Sequence, residues 1–338
     1  MVALYYRAFN QAMRERFGCK VYKLALDGGM TCPNRDGTLD TRGCIFCSAD
    51  GGGAFAASAC GDIHAQLEEA KRRVAAKIRG EAKYIAYFQS FTNTYAAPEQ
   101  LEAMFLPVLE QPEVVALSIA TRPDCLPDPI LQLLGRLRRQ KPIWVELGLQ
   151  TIHPQTAEYI RRGYALSVYD EAVRKLKGLD IEVITHMIIG LPGETQDMIW
   201  DTAAYIGRSG VDGIKLHLLH VLADTDLAAA YRAGTFDVLS LECYIAILEG
   251  CVRRLPPEMV IHRLTGDGAK ANLIAPLWSG DKKRVLNAIR VAFERNHVVQ
   301  GSACGFNNPE KERGKTQGGD TEYDNRTIIS CNQIRKND

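Results

Sequence analysis

Short apolar runs alternate with amphipathic segments along the first two thirds of the chain. Six runs have the length and composition of buried β-strands, and they span residues 20–26, 84–88, 114–120, 143–149, 181–189 and 211–219. The segment 129–139 is typical of the helices between them, because Ile130, Leu133 and Leu137 fall on one side at helical spacing. Strands that are apolar on both faces and alternate with helices indicate a parallel sheet covered on both sides.

The six strand–helix units leave two architectures open. They are too few for the closed eightfold barrel, and on pattern alone they also fit a doubly wound open sheet. In either case ligands bind at the carboxyl ends of the strands. Two of the helices carry local sequence signals. Pro107 is expected to kink or shorten the helix that starts near Pro98. Ser167 is expected to cap the start of a helix that ends at Gly178.

The pattern changes after residue 220. Two helices are predicted at 224–233 and 240–255, a further strand at 260–264 and a last helix at 282–295. From about residue 305 the chain is rich in Asn, Lys, Glu, Gly and Asp with few large apolar side chains, which predicts disorder. The predicted organisation is therefore a core over 1–220, a short C-terminal α/β extension over 221–304 and a disordered tail over 305–338.

Composition and charge narrow the class of protein. The chain has 338 residues, 46% of them hydrophobic, and its 41 basic and 40 acidic residues give a net charge of +1. This balance neither requires nor excludes nucleic acid as a partner. Apolar runs are too short to span a bilayer, no secretory signal is evident, and most of the ten cysteines are scattered. We therefore expect a cytoplasmic protein with no membrane partner.

Three cysteines lie close together in a loop rich in turn-forming residues. Cys32, Cys44 and Cys47 are separated by eleven and two residues. Thiolates are soft ligands that suit zinc, copper(I) and iron–sulfur clusters. A closed zinc site needs a fourth ligand, and the nearest candidates, Cys19, Cys60 and His64, do not form a second Cys-x-x-Cys pair. Three thiolates in one loop instead favour a four-iron cluster with one open iron, while buried, unliganded cysteines fit a polar loop poorly.

The same loop resembles a known family. Cys-Pro-Asn-Arg-Asp-Gly-Thr followed by Gly-Cys-Ile-Phe-Cys is similar to the YhcC/YtqA-like branch of the radical S-adenosylmethionine (SAM) enzymes. That branch belongs to the larger group that contains the Elongator catalytic subunit, MiaB and NifB. The resemblance covers roughly residues 4–301 and includes the segments 89–95, 146–151, 161–163, 188–195, 215–220 and 262–267.

The resemblance implies a fold and a chemistry. The fold is a partial (β/α)6 TIM-like barrel. Cys32, Cys44 and Cys47 would hold three irons of a [4Fe–4S] cluster, and the amino and carboxylate groups of SAM would chelate the fourth. One-electron reduction, by a donor such as flavodoxin or ferredoxin, would cleave SAM to methionine and a 5′-deoxyadenosyl radical. The radical would then abstract a hydrogen atom from the substrate; no general base is assigned.

The resemblance also implies SAM-binding residues. Phe46 corresponds to the aromatic residue that packs near the adenine, although packing against the protein core is an alternative. Thr92 and Asn93 lie where many radical SAM enzymes hold the methionine amino group, but the common Gly-Gly-Glu pattern is absent there. Gly190 belongs to a motif that follows the fifth strand beside the adenine.

Two polar residues near the end of the fourth strand are expected to contact SAM. Glu146 and Gln150 share one face by the two-residue period of a strand, and a carboxylate is costly to bury without a partner. Contact with the ribose or methionine part of SAM would explain both. The alternative is an internal ion pair, for example with Arg122 or Arg161.

The sixth strand carries the predicted substrate site. Lys215 and His217 share one face and His220 follows directly, and we expect these three side chains to face the substrate with help from Arg263. The alternative is that they are ordinary core residues.

The identity of the substrate is the least specific part of this interpretation. Members of the branch are associated with side chains of the wobble uridine of tRNA, so the resemblance implies a tRNA-modifying enzyme. A radical SAM enzyme acting on a small molecule and a non-catalytic iron–sulfur or zinc protein remain alternatives.

Overall fold

A computed structural model describes residues 5–49, 51, 62–266 and 271–304 of the chain. Its centre is a curled, seven-stranded parallel sheet with helices on its outer face, which confirms the predicted partial barrel. The strands in chain order are β1 (Lys20–Leu26), β2 (Ala82–Phe88), β3 (Val114–Thr121), β4 (Ile143–Gln150), β5 (Glu182–Ile189), β6 (Gly213–Leu218), β7 (Val221–Leu222), β8 (Val260–Arg263) and β9 (Leu273–Ala275). The sheet has the order β1-β2-β3-β4-β5-β6-β8, and β7 and β9 form a separate antiparallel pair.

The helices match the sequence pattern closely, with one wrong cap. They are α1 (Phe9–Phe17), α2 (Ile63–Ala75), α3 (Pro98–Leu109), α4 (Asp128–Arg138), α5 (Pro154–Tyr159), α6 (Leu166–Gly178), α7 (Gln196–Arg208), α8 (Asp226–Arg232), α9 (Leu241–Arg254) and α10 (Lys282–Arg295). Pro107 lies within the last turn of α3. Ser167 does not cap α6, because the helix already begins at Leu166 and Ala165 occupies the N-cap position without a side-chain hydrogen bond.

The seventh strand of the sheet comes from the predicted extension. β8 pairs with β6 in parallel, so residues 221–304 contribute to the same sheet as the core strands. The outer edge of β8 meets the segment before α1: the backbone N–H of Ile261 donates to the carbonyl of Arg7 at 2.9 Å, and Ala8 forms a parallel bridge with Ile261. This contact satisfies an edge that would otherwise expose unpaired backbone groups. The predicted tail, residues 305–338, lies outside the described residues.

Strand alternation sorts the interior of the barrel into two layers. The first layer is apolar, packs against α1, and includes Val21, Ile85, Ala116, Trp144 and Ile184. The next inward position on each of these strands is two residues later. These positions, together with Lys215 on β6, form a polar layer that consists of Lys23, Tyr87, Ser118, Glu146, His186 and Lys215. The amino end of the barrel is therefore closed by apolar packing, and polar groups face the carboxyl end.

The last helix begins near the carboxyl end of the barrel. β9 pairs with β7, which follows β6, and a short 3₁₀ helix (Leu277–Gly280) leads from β9 into α10. Phe293, in the last turn of α10, packs edge-on against Tyr5 and Tyr6, which precede α1. The end of α10 therefore lies near the amino end of the barrel, where α1 packs. No helix among the described residues is long and apolar enough to cross a bilayer.

Candidate functional site

A cavity of about 350 Å³ opens at the carboxyl ends of the parallel strands. Ten of the predicted site residues line it: Cys32, Cys44, Phe46, Cys47, Thr92, Glu146, Gln150, Lys215, His217 and His220. They come from the loop after β1 and from the ends of β2, β4 and β6, which are distant in sequence. The cavity is therefore where parallel strands concentrate ligand contacts.

The cysteine loop is held in shape by backbone turns and one arginine. The carbonyl of Cys32 accepts the N–H of Arg35 at 2.8 Å, and the N–H of Cys47 donates to the carbonyl of Cys44 at 3.0 Å. The Arg35 guanidinium donates to the carbonyls of Cys47 and Ser48 at 2.9 and 2.7 Å. A Cβ atom on Gly43, where φ is +76°, would lie 2.9 Å from Nε of Arg35, so a glycine is needed where the loop passes this side chain.

The three thiols share one environment. All three are unbonded to other cysteines and half-buried. Burial and the neighbouring Cys47 raise the pKa of Cys44 to about 11, whereas the positive charge of Arg122 lowers it. Burial likewise raises the pKa of Cys47, and Arg35 opposes that rise. Arginines beside these sulfurs favour their thiolate forms, which are the forms that bind metal.

The arrangement fits a cluster better than a single ion. Among the described residues, no three His, Cys, Asp or Glu side chains are arranged to bind one metal ion. A cubane cluster takes each cysteine on a different iron, so its ligands surround a volume and do not meet at a point. Three thiols that line one cavity with adjacent guanidinium groups meet that requirement. Of the candidate zinc ligands, Cys19 lies at the opposite end of β1 from the cysteine loop, and Cys60 is outside the described residues.

Glu146 is the centre of a buried ionic network below the cysteine loop. Its side chain is fully buried, and Oε1 accepts from Nζ of Lys23 and from Oγ of Ser118, both at 2.7 Å. Oε2 lies 2.7 Å from Nε2 of His186 and is also in contact with Nζ of Lys215. Burial alone would raise the pKa of Glu146, but the charges of Lys215 and Lys23 and the bond to His186 hold it well below its usual value. These contacts therefore favour the carboxylate form of Glu146.

The sequence left open an internal ion pair between Glu146 and an arginine. The structure shows such an ion pair, but the partners are Lys23 and Lys215. Arg122 pairs with Asp124 at 2.7 Å, and Arg161 pairs with Asp226. The lysines of β1 and β6 lie opposite Glu146 instead, because their inward positions fall in the same layer of the barrel. Glu146 also lines the cavity, so the ion pair does not by itself exclude a contact with a ligand.

The sixth strand contributes basic groups with altered pKa values. Burial lowers the pKa of Lys215 to about 7, although Glu146 opposes the shift. Nζ of Lys215 donates to the Tyr87 hydroxyl at 2.9 Å. Burial holds the pKa of His217 well below its usual value and lowers that of His186 to about 4. The two imidazoles are neutral near pH 7, their rings lie 5.1 Å apart, and Nε2 of His217 has no hydrogen-bond partner among the described residues.

The end of β4 is irregular where it borders the cavity. The pairing with β5 shifts between Gly148 and Gln150, and Gln150 has a φ of +70°. The hydroxyl of Tyr164 donates to the carbonyl of Gly148. Glu146, Gly148 and Gln150 all line the cavity despite this irregularity.

The other predicted cofactor residues divide into two groups. Thr92 and Phe46 line the cavity, and Phe46 also packs against an apolar cluster that contains Ile160. Asn93 does not line it: its Nδ2 donates to the carbonyls of Ser90 and Ala120 at 2.9 and 3.0 Å and braces the end of β2. Gly190 is also outside the lining, and a Cβ there would lie 3.0 Å from Leu239.

Family comparison agrees with this geometry. Residues 41–206 match the model of the Radical SAM superfamily, and residues 211–295 match the Radical SAM C-terminal domain. YtqA of Bacillus subtilis, an uncharacterized protein, is 46% identical over 88% of this chain and 92% of its own length. The chain belongs to the radical SAM superfamily. YhcC of Escherichia coli is 37% identical over 88% of this chain and 94% of its own length, so this radical SAM protein falls within the predicted branch.

More distant matches include a solved structure with a similar fold and a protein that matches about half of this chain. The structure of Elp3 from Methanocaldococcus infernus superposes with a TM-score of 0.63 at 18% identity, over 83% of this chain and 64% of that one. The tRNA uridine(34) acetyltransferase of Methanocaldococcus jannaschii is 25% identical over 55% of this chain and 34% of its own length. Members of the superfamily are enzymes that use a [4Fe–4S] cluster and SAM, and they generally need a reductant.

Several cavity residues of this radical SAM protein were missed from the sequence. They are Arg35, Tyr87, Arg162 and Tyr164, and Arg122, which the sequence suggested only as an ion-pair partner of Glu146, also lines the cavity. One further signal was available: Lys23 is a lysine inside an otherwise apolar strand, which suggests a buried partner. Tyr87, by contrast, looks like an ordinary strand residue, and only the arrangement of the barrel brings it to Lys215.

Proposed function

We propose that this chain binds a [4Fe–4S] cluster through Cys32, Cys44 and Cys47 and cleaves SAM to modify tRNA, with the wobble uridine side chain as the target. The observation that carries the proposal is the convergence of the cysteine loop and the polar ends of β4 and β6 on one cavity. With both groups bound, the cluster and SAM supply a carbon-centred radical that abstracts hydrogen from an unreactive position. The protein's own residues bind, orient and shield the reactants.

The chain's residues have distinct parts in this proposal. Arg35 and Arg122 offset the negative charge of the cysteine thiolates. Gln150 and Thr92 offer hydrogen bonds to SAM from the lining of the cavity, and Phe46 offers an apolar surface. Glu146, already held by two lysines, orients Lys215 and His186 and has little capacity left for SAM. In this proposal Glu146 therefore supports the residues of the substrate side and does not bind SAM directly.

The substrate side is proposed at the end of β6. His217 and His220 line the cavity together with Lys215 and Arg263. Nε2 of His217 is buried and has no hydrogen-bond partner among the described residues. A polar group of the substrate would supply the missing hydrogen bond. In the predicted arrangement this end of the cavity lies across from the cysteine loop.

The tRNA assignment rests on the family and on a charged surface. The first turn of α10 presents two exposed basic side chains, Lys283 and Arg284. In another basic run, on α2, Lys71 pairs with Glu113 and Arg73 with Glu69. Phosphate contacts position RNA, and exposed Lys and Arg side chains make them. The relationship to a tRNA uridine(34) acetyltransferase supports the same substrate class.

A two-part experiment tests the proposal. Nucleosides of tRNA from cells with and without this chain are compared by mass spectrometry, and loss of one modified uridine is expected. The purified, iron-loaded protein is then given SAM, a strong reductant and tRNA from the deficient cells, with Cys44→Ala as the control. Formation of 5′-deoxyadenosine without any change in tRNA would favour a small-molecule substrate. Absence of SAM cleavage by iron-loaded protein, or zinc in place of iron, would favour a non-catalytic protein.

The phosphate surface is tested separately. Lys283→Gln with Arg284→Gln should weaken tRNA binding and reduce its dependence on salt concentration, because each lost phosphate contact removes about one unit from the salt slope. The same pair of changes at Lys175 and Lys177 of α6, which pair with Asp128 and Asp212, is the matched control and should leave the slope unchanged.

A further inference from the structure

Asn34 lies two residues after Cys32 and is almost fully buried, at 1% exposure. Its Nδ2 is 2.6 Å from the carbonyl oxygen of Arg161 and 3.4 Å from Sγ of Cys44. An amide nitrogen carries two hydrogens, so one Asn34 side chain can donate to both acceptors at once. The carbonyl of Asn34 also accepts the N–H of Gly43 at 2.7 Å, which fixes the residue next to the second cysteine.

The segment 161–163 forms the wall that holds this amide. Arg161 has a φ of +56° and Gly163 a φ of +82°, so the chain turns sharply here. A Cβ on Gly163 would lie 2.9 Å from Oδ1 of Asn34 and 3.2 Å from a guanidinium nitrogen of Arg122. Glycine at this position therefore leaves the space that the amide occupies. The sequence resemblance includes this segment, and the proposed function gave it no role.

The state of Cys44 decides what the amide does. Sγ of Cys44 lies 3.6 Å from the Arg161 carbonyl, a contact in which a protonated thiol would be the donor. A sulfur bound to iron has no proton and can only accept. The Nδ2–H of Asn34 is then the donor that faces it, and a hydrogen bond to a charged sulfur is stronger than one to a neutral thiol.

We propose that Asn34 is a positioning residue that donates a hydrogen bond to the cluster-bound sulfur of Cys44 and thereby raises the reduction potential of the cluster. The inference rests on the proposed function, in which Cys44 is a cluster ligand. Reduction adds negative charge to the cluster and its sulfurs, and a donor aimed at one of them stabilises the reduced state. The wall at Gly163 keeps the donor in place.

The test compares reduction potentials of loaded protein. Asn34→Leu keeps the approximate size of the side chain and removes its N–H groups, and Thr41→Ala changes an exposed position of the same loop as the control. Iron content and midpoint potential are measured by an EPR-monitored redox titration. We expect about four irons per chain in both variants, a more negative potential in Asn34→Leu and the wild-type potential in Thr41→Ala. Full iron content with an unchanged potential in Asn34→Leu overturns the inference.

A second variant covers the outcome in which Asn34→Leu fails to load. Gly163→Ala keeps the amide but places a Cβ 2.9 Å from its oxygen, which displaces the donor from its position, so the potential should also become more negative. In addition, protein labelled with ¹⁵N-asparagine should show a nitrogen coupling to the reduced cluster by pulsed EPR, and Asn34→Leu should lack it. An unchanged potential in Gly163→Ala, or no coupling in the labelled wild type, contradicts the inference. Retention of the cluster in Cys44→Ala would instead contradict the proposed function.

Discussion

Removing the charge of Lys215 is expected to destabilise the fold through Glu146. Lys215→Met keeps a long apolar stem and deletes one of two ammonium groups that touch a fully buried carboxylate. Removing one partner of a buried ion pair costs about 3–5 kcal/mol, because the remaining charge is left without compensation. Lys23, His186 and Ser118 still contact Glu146, so we expect the lower end of this range.

The assay is urea unfolding of the cluster-free chain at pH 6. At this pH Lys215 is charged, since burial sets its pKa at about 7, and the low pKa of Glu146 keeps the carboxylate ionised. Lys23→Met is the matched control on the same carboxylate. Its side chain is 18% exposed against 5% for Lys215, so water replaces part of the lost interaction and the loss should be smaller.

A double-mutant cycle isolates the pair itself. Glu146→Gln and Lys215→Met are measured alone and together, and contacting charges should show a coupling free energy of about 1–3 kcal/mol. The double variant should therefore be more stable than the sum of the single losses predicts. Additivity within about 0.5 kcal/mol, or a larger loss in Lys23→Met than in Lys215→Met, would refute this reasoning.

Three further predictions concern the cysteines, SAM and pH. Cys44→Ala should lose the visible absorption of the cluster, whereas Cys251→Ala, a buried cysteine in α9, should keep it; zinc in place of iron in protein purified without oxygen would contradict the assignment. Gln150→Ala should keep the cluster and bind SAM more weakly in equilibrium binding, and an unchanged affinity would remove Gln150 from the SAM site. The stability of the wild type should rise from about pH 7 to about pH 10 relative to Lys215→Met in urea unfolding. The reason is that the unfolded lysine keeps its proton in this range while the buried lysine has released it. A stability difference that is constant over this range would show that Lys215 is charged in the fold throughout.

Local pattern was sufficient for the outline of the fold. The strands at 20–26 and 143–150 and the helix at 282–295 follow from side-chain periodicity, which is a property of a short stretch of chain. The cysteine loop was recognisable for the same reason, because its spacing and its turn-forming residues lie within sixteen positions. The wrong cap at Ser167 shows the limit: the helix starts two residues earlier than predicted, so the expected capping side chain lies inside the first turn.

Contacts between distant residues were decided only by the tertiary structure. The sequence suggested that Glu146 needs a partner, but Lys23 is 123 residues away, and only the layering of inward positions in a curled sheet selects it over Arg122 or Arg161. The contact between Asn34 and Arg161 spans 127 residues and depends on a positive φ on one side and a missing Cβ on the other. Periodicity tells which face of a strand is buried, whereas the pairing of buried polar groups is set by which strands are neighbours and by the space left between them.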